Sequence, residues 1–262
     1  MIDKKAADKA FLDYAAAFDA SDIMIKTKIY HTMRVADNAE RIASKEGLDR
    51  DDTDLARFLG LLHDFGRFEQ VKRYGTYSDI HSVDHAELGA DILFKDQEIQ
   101  RFIPAGFDPK DSRLVETAIR AHNKLIIPED TDDRTRLFCE ILRDADKIDI
   151  LRVVCEVPLK QRAGKGWDFP EDKQEASGEV MEFVYAHRCI PRNLIGSAFE
   201  LHISHICMVF ELVFEESRRI AAGQGYLDKL LSPYDDAGKL LWNDRETEQL
   251  KCLKEEVEKF YS

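Results

Sequence analysis

The sequence predicts an all-α fold. Apolar residues recur with helical spacing along most of the chain, alternating strand-like patterns are scarce, and glycine, proline and capping residues cut the chain into helix-sized segments. A first helix is expected over roughly Ala6 to Asp19. A second, from about Thr27 to Lys45, stops at Gly47 and carries His31, Val35, Ala39 and Ile42 on one stripe, so that the histidine faces the core. A third begins near Asp52, carries Leu55, Leu59 and Leu62 at i, i+4, i+7, and ends in His63-Asp64, with Gly66 as its terminator. Gly60 lies inside that helix, where glycine costs about 1 kcal/mol relative to alanine, so a neighbouring helix or ligand is expected to approach closely there.

A loop over Tyr74 to Asp79 leads to Ser82 as N-cap and a helix to about Phe94, with Asp84, His85 and Glu87 in its first turn. The next helix, capped by Asp111 or Ser112, places Val115, Ala118 and His122 on one side before Pro128 breaks it, and another follows from Asp132 to Ile150. From Val157 to Gly178 the chain is rich in Gly, Pro and charge and reads as a loop or lid. A long helix from Asn193 to Ala221 and a charged one from Asp235 to the end complete the chain. Residues 1–156 are thus expected to form the helical core with the site, and 157–262 a lid and C-terminal helices packing on it as one compact unit.

With 262 residues the chain can bury a large core. Lysine and arginine number 38 against 51 acidic residues, a net charge of −13, which disfavours nucleic acid as an extended partner. The opening MIDKKAADKAF lacks the apolar run of a signal peptide, and the greasiest stretch, Ile206 to Phe214, is interrupted by Glu211 and too short to span a bilayer. A cytoplasmic protein without membrane partners is expected, and a homo-oligomer stays open. Five scattered cysteines with no C-x-x-C fit buried thiols better than a disulfide framework or a zinc knuckle.

His31, His63, Asp64, His85, His122 and an aspartate of RDADKID all fall on inward stripes or buried helix ends. A lone histidine on such a stripe is usually a hydrogen-bonded core residue. Six polar groups from five helices are different, because burying them without a shared partner is expensive, and a metal centre is the economical partner. Periodicity does not choose between Asp144 and Asp146, since each extends an apolar stripe.

The order His31, then His63-Asp64 in LLHDFGR, then Asp146 in ADK, resembles the HD-domain superfamily of metal-dependent phosphohydrolases over approximately residues 27–152. His85 in HAELGADIL and His122 in AIRAHNK look like the further ligands of members that hold two metals. The resemblance implies an HD-domain helical bundle with additional C-terminal helices, and it selects Asp146. It implies His31, His63 and Asp146 on a first ion, His85 and His122 on a second, and Asp64 between them. Imidazoles and carboxylates suit Fe, Mn, Zn, Co, Ni or Mg. Adjacent residues point about 100° apart on a helix, so His63 and Asp64 reach one centre only where the helix ends. Two ions about 3.5–4 Å apart sharing a hydroxide would make the protein a phosphohydrolase.

A small phosphorylated substrate, a nucleotide or sugar phosphate, also needs donors. Arg67 stands where the family carries a basic or polar residue, and its planar fork suits a phosphate, so Asp64 and Arg67 are the expected catalytic pair. Lys124, Lys147 and Arg188 are weaker candidates for substrate contact; Glu69, Asp79 and Glu87 are carboxylates from which no general acid can be chosen. Two alternatives remain: a di-iron oxygenase resembling myo-inositol oxygenase, which uses the same six ligands, and a regulatory domain that binds metal or nucleotide with little turnover. His202 and His205, at i, i+3, sit on an apolar stripe of Phe199, Ile203, Ile206, Phe210 and Val213 and read as core or pocket wall.

Overall fold

The structure, a computed structural model, describes residues 2–103, 108–162 and 175–261. Among them the chain is helical without a strand, apart from one isolated bridge between Tyr234 and Leu240. It divides into two compact units. The first comprises Met1–Asp149 with Val157–Trp167, the second Ile150–Glu156 with Asp168–Ser262.

The first unit contains α1 (Lys4–Ala15), α2 (Ile23–Lys45), α3 (Arg50–Leu62), α4 (Phe65–Tyr74), α5 (His85–Ala90), α6 (Pro109–Ala121), most of α7 (Asp133–Glu156) and the short α8 (Leu159–Arg162). Aspartates start five of these helices. Asp3, Asp22, Asp49, Asp84 and Asp108 each accept a backbone N–H of the first turn of α1, α2, α3, α5 and α6, satisfying a donor that has no partner within the helix. This displaces two expected caps. Asp84, not Ser82, opens α5, and Ser82 instead donates to the Ser78 carbonyl. Asp108 followed by Pro109 opens α6 ahead of Asp111 and Ser112, because proline at the first helical position forfeits no hydrogen bond. α6 already ends at Ala121, well before Pro128, and α7 runs on past Ile150.

α2 and α3 form the central pair, with His31, Val35, Ala39 and Ile42 of α2 all fully buried. They cross at Gly60. A Cβ there would lie 2.6 Å from Ala36 Cα and 2.8 Å from Ala36 N, closer than any side chain can pack, so glycine is what lets the two backbones touch. Gly66 is not a helix terminator. It lies inside α4, an element absent from the expectation, and faces α5 so closely that a Cβ would meet the His85 carbonyl oxygen at 2.2 Å and Gly89 N at 2.6 Å. The terminator of α4 is Gly75, at φ 66°. Phe65, Phe68 and Val71, at i, i+3, i+6 and all buried, are the periodic signal for α4.

α5 continues through a wide helical turn, Asp91–Lys95, and a tight one, Glu98–Arg101. Of the expected loop over 157–178, residues 159–162 form α8 and residues 163–174 lie outside the described residues.

The second unit holds α9 (Gly178–Tyr185), α10 (Ala198–Cys207), α11 (Glu215–Gly223), α12 (Tyr226–Leu230) and α13 (Asp244–Tyr261). The long helix expected from Asn193 to Ala221 is broken into α10, a tight turn at Met208–Glu211 and α11. The reason is in the side chains. Ile206, Cys207, Val209, Phe210, Leu212 and Phe214 are all buried, too many in a row for one face of a helix, so the chain changes direction to bury them. Val213, placed on the core stripe by spacing, is 49% exposed as a result. The last helix begins at Asp244 rather than Asp235. The His202 ring N–H donates to the Leu230 carbonyl at 2.8 Å, a structural role.

Candidate metal centre

The first unit brings His31, His63, Asp64, His85, His122 and Asp146 together. His31 projects from α2 and Asp146 from α7; His85 opens α5, and His122 closes α6. His63 and Asp64 occupy the break between α3 and α4. There Asp64 leaves helical geometry at φ −99°, ψ 19°, which turns its carboxylate toward the same centre as the neighbouring imidazole. Donor atoms lie within 4.8 Å of one another in each of three sets: His31, His63 and Asp64; His63, His122 and Asp146; and Asp64, His85 and His122.

Each imidazole is oriented by its outer nitrogen. Nδ1 of His31 meets Asp149 Oδ2 at 2.8 Å, His63 the Gly60 carbonyl at 2.7 Å, His85 Asp79 Oδ2 at 2.8 Å, and His122 the Ile119 carbonyl at 2.6 Å. These acceptors can only take a proton, so every Nδ1 carries one and every Nε2 points inward, which is how metal-binding histidines are held. His85 Nε2 and His122 Nε2 then face each other at 3.0 Å. In neutral rings that sets two lone pairs against each other, and a cation within reach of both relieves the repulsion. Nε2 of His31 and of His63 are buried without a well-directed hydrogen bond. The donor set therefore fits divalent ions.

Asp64 divides the centre. Its Oδ2 lies 3.4 Å from His31 Nε2 and 3.3 Å from His63 Nε2, and Asp146 Oδ1 adds contacts at 3.1 Å and 3.7 Å to the same two rings. Its Oδ1 lies 3.4 Å from His85 Nε2 and 3.8 Å from His122 Nε2. One carboxylate thus serves two ligand groups, one on each oxygen.

The two halves differ in charge. Burial and the Arg67 guanidinium push His85 down to about 3 against the pull of Asp79, so its ring is neutral. His31 goes the other way. Burial and Lys28 lower it, but Asp146, Asp149 and Asp64 outweigh them and raise it to about 10. The metal-free protein thus carries a proton on His31 that an incoming ion must expel. Metal uptake at the His31 side is expected to release that proton and to tighten as pH rises from 6 to 9. Titration of Mn²⁺ into weakly buffered protein with a pH indicator checks this; no proton release at pH 7 contradicts it.

Arg67 sits against Asp64. Its Nε is 3.5 Å from Asp64 Oδ1, while one terminal nitrogen donates to Gln70 Oε1, the Tyr77 carbonyl and Asp79 Oδ1 at 2.8, 2.7 and 3.0 Å. The Nε itself is buried and makes no hydrogen bond. Lys124 is engaged elsewhere, 2.5 Å from Asp84 Oδ2 at the start of α5. Lys147 is half-buried on α7 beside Asp146. Arg188 belongs to the second unit, exposed over the Phe183 ring at 5.4 Å. Of the carboxylates, Asp79 is no proton donor: despite its burial, the His85 and Arg67 contacts hold it far below the usual carboxylate range. Glu69 pairs with Lys72 and Arg73, and Glu87 with Arg120.

Sequence reasoning passed over Asp149 and Lys28, and weighed Asp79 only as a proton donor. Asp149 anchors His31, Asp79 anchors His85, and Lys28 places its ammonium 2.5 Å from Asp64 Oδ2. Asp149 lies three residues after Asp146, and Lys28 three before His31. A same-face search one turn away from each ligand would have found both.

The first unit is thus all-helical, and its buried histidines and aspartates converge from five helices into groups with the spacing that could hold a metal ion. Residues 29–151, a span that includes all six residues, match the model of the HD domain. HD domains generally hold divalent metals, and the family includes metal-dependent hydrolases. Among solved structures, the crystal structure of a predicted HD superfamily hydrolase from an uncultured Thermotogales bacterium is similar at 22% identity. The match covers 84% of this chain and 83% of that one, with a TM-score of 0.45. No curated protein matches the chain. Among the described residues, no helix is long and apolar enough to cross a membrane.

Proposed function

We propose that the protein is a metal-dependent phosphohydrolase that cleaves a small phosphoester such as a nucleotide or sugar phosphate. The observation that carries this reading is the split of Asp64, one oxygen facing each group of imidazoles, with the unbonded Arg67 Nε beside it. Divalent ions held there lower the pKa of water and neutralise charge that develops on a phosphoryl group.

The remaining work falls to the chain's own side chains. His31, His63 and Asp146 would hold an ion at one Asp64 oxygen, and His85 and His122 at the other. Asp149 and Asp79 keep Nε2 of His31 and His85 aimed inward by accepting hydrogen bonds from their Nδ1–H groups. Arg67, fixed by Gln70, Tyr77 and Asp79, offers its free N–H to a phosphoryl oxygen, and a prepaid orientation of this kind adds rate because no reorganisation is needed at the moment of reaction. Its charge also offsets the local carboxylates, which would otherwise repel an anionic substrate.

The test is a panel of nucleotides, sugar phosphates and p-nitrophenyl esters presented to chain loaded with Mn²⁺, Zn²⁺ or Fe²⁺, with O₂ uptake followed in parallel. Phosphate release without O₂ uptake is expected, and Arg67→Ala should lower kcat/KM by about 10²-fold. Metal loading with no turnover of any phosphoester, or turnover that consumes O₂, contradicts the reading.

A further inference from the structure

Two cations converge on Asp64, and only one of them is fixed. Arg67 pairs with Asp64 at 3.5 Å and donates hydrogen bonds to three other partners. Lys28, one turn before His31 on α2, makes a single hydrogen bond among the described residues, to Asp64 Oδ2. Both lie over one aromatic ring, with Lys28 Nζ and the Arg67 guanidinium carbon each 5.4 Å from the Tyr77 centroid, while the Tyr77 hydroxyl is anchored on the Met24 carbonyl at 2.5 Å. The Lys28 side chain is 15% exposed against 2% for Asp64, so it approaches from the solvent side of the carboxylate.

The oxygen that Lys28 holds is the one facing His31 and His63. An ion bound by those rings and Asp64 would share that oxygen with an ammonium, and two cations on one oxygen repel. The ammonium must yield. Its four-carbon stem is flexible and carries three donors, unlike the guanidinium pinned nearby, and the Tyr77 face keeps it close by cation–π attraction. A released ammonium at this position lies beside Arg67, facing the place where the oxygens of a phosphoryl group would sit.

We propose that Lys28 is a phosphate-binding residue of this site, held on Asp64 in the metal-free protein and freed for the substrate when a metal takes that oxygen. This rests on the phosphoester reading for the identity of the anion, whereas the exchange between metal and ammonium does not.

The test uses the full chain as the parent, Lys28→Met, Lys28→Gln and Lys28→Arg, checked for fold by circular dichroism, with Gln replacing Met should the latter not fold. Calorimetric titration with Mn²⁺ alone, then with inorganic phosphate on the Mn²⁺-loaded chain, gives two readouts of opposite sign. Loss of the ammonium should tighten Mn²⁺ binding about tenfold, because an internal competitor is gone, and weaken phosphate binding about 10- to 100-fold. Lys28→Arg should keep phosphate affinity within about threefold of the parent. Phosphate affinity unchanged in Lys28→Met, or Mn²⁺ bound no more tightly, overturns the proposal. A parent that takes up Mn²⁺ but no phosphate contradicts the phosphoester reading instead, and the Mn²⁺ comparison then still decides whether Lys28 and the metal compete.

Discussion

Asp64→Asn is expected to remove at least one of two bound ions and to lower phosphoester turnover by about 10³-fold or more, equivalent to about 4 kcal/mol in the barrier. The cause is the way the carboxylate is shared. Oδ2 serves His31 and His63 while Oδ1 serves His85 and His122, at 3.3 to 3.8 Å. An amide keeps one acceptor oxygen and turns an NH₂ toward the other group, so one half loses an oxygen ligand whichever way the amide lies, and neither half keeps the Asp64 charge. Charge acts in the same direction. Despite complete burial, Lys28 and His63 hold the Asp64 carboxyl well below its usual range, so the wild-type group is a carboxylate at every working pH and the amide removes a full charge. Metal content by inductively coupled plasma mass spectrometry, with helicity unchanged by circular dichroism, separates this from unfolding. Parental metal content and rate in the variant would refute the bridging role.

Gly66→Ala is expected to destabilise the first unit by roughly 2–4 kcal/mol, lowering Tm by about 5–15 °C. The added methyl would lie 2.2 Å from the His85 carbonyl oxygen and 2.6 Å from Gly89 N, and both are backbone atoms that cannot rotate away. α4 and α5 must therefore separate. Because His85 is the first residue of α5, the same displacement moves its ring away from Asp64, so metal retention should fall together with Tm. Gly178→Ala is the control, since a methyl there meets nothing within 4 Å, and its Tm should stay near the parent value. Thermal unfolding with and without Mn²⁺ checks both; an unchanged Tm in Gly66→Ala contradicts the close approach of the two helices.

The two glycines show how much of this fold can be read from residues alone. Gly60 interrupts an apolar helical pattern, so a packing explanation follows from spacing, and the contact with Ala36 agrees with it. Gly66 comes two residues after Asp64, just past the polar pair that ends the leucine stripe, and suits a terminator equally well. Only the neighbouring α5 backbone distinguishes the two roles, and that partner lies some twenty residues away in sequence. Caps behave similarly. Ser82 and Asp84 both can accept a first-turn N–H, and the choice falls to backbone geometry rather than to residue type.

Ligand positions were more legible than their supports. Four histidines and Asp64 fall on inward stripes or at helix ends because burial and periodicity constrain them, while Asp144 and Asp146 are equivalent to periodicity and only the family pattern separates them. The structure puts Asp146 Oδ1 3.1 Å from His31 Nε2. Asp149 and Lys28 share a helix face with a ligand one turn away, but that spacing alone gives an aspartate or a lysine no role, and they and Asp79 acquire theirs through tertiary contacts. The break after Cys207 was hidden for the opposite reason. A run of apolar residues with no clear period fits a buried helix as well as a turn that buries each residue in a different direction.

Six side chains from five helices are placed to cage a pair of cations bridged by Asp64. An anomalous-scattering map from crystals grown with Mn²⁺ tests it most directly. Two peaks about 3.5–4 Å apart are expected, one against Asp64 Oδ2 with His31, His63 and Asp146, the other against Oδ1 with His85 and His122. A map with no peak among these imidazoles, in crystals that bind Mn²⁺ elsewhere, would contradict it.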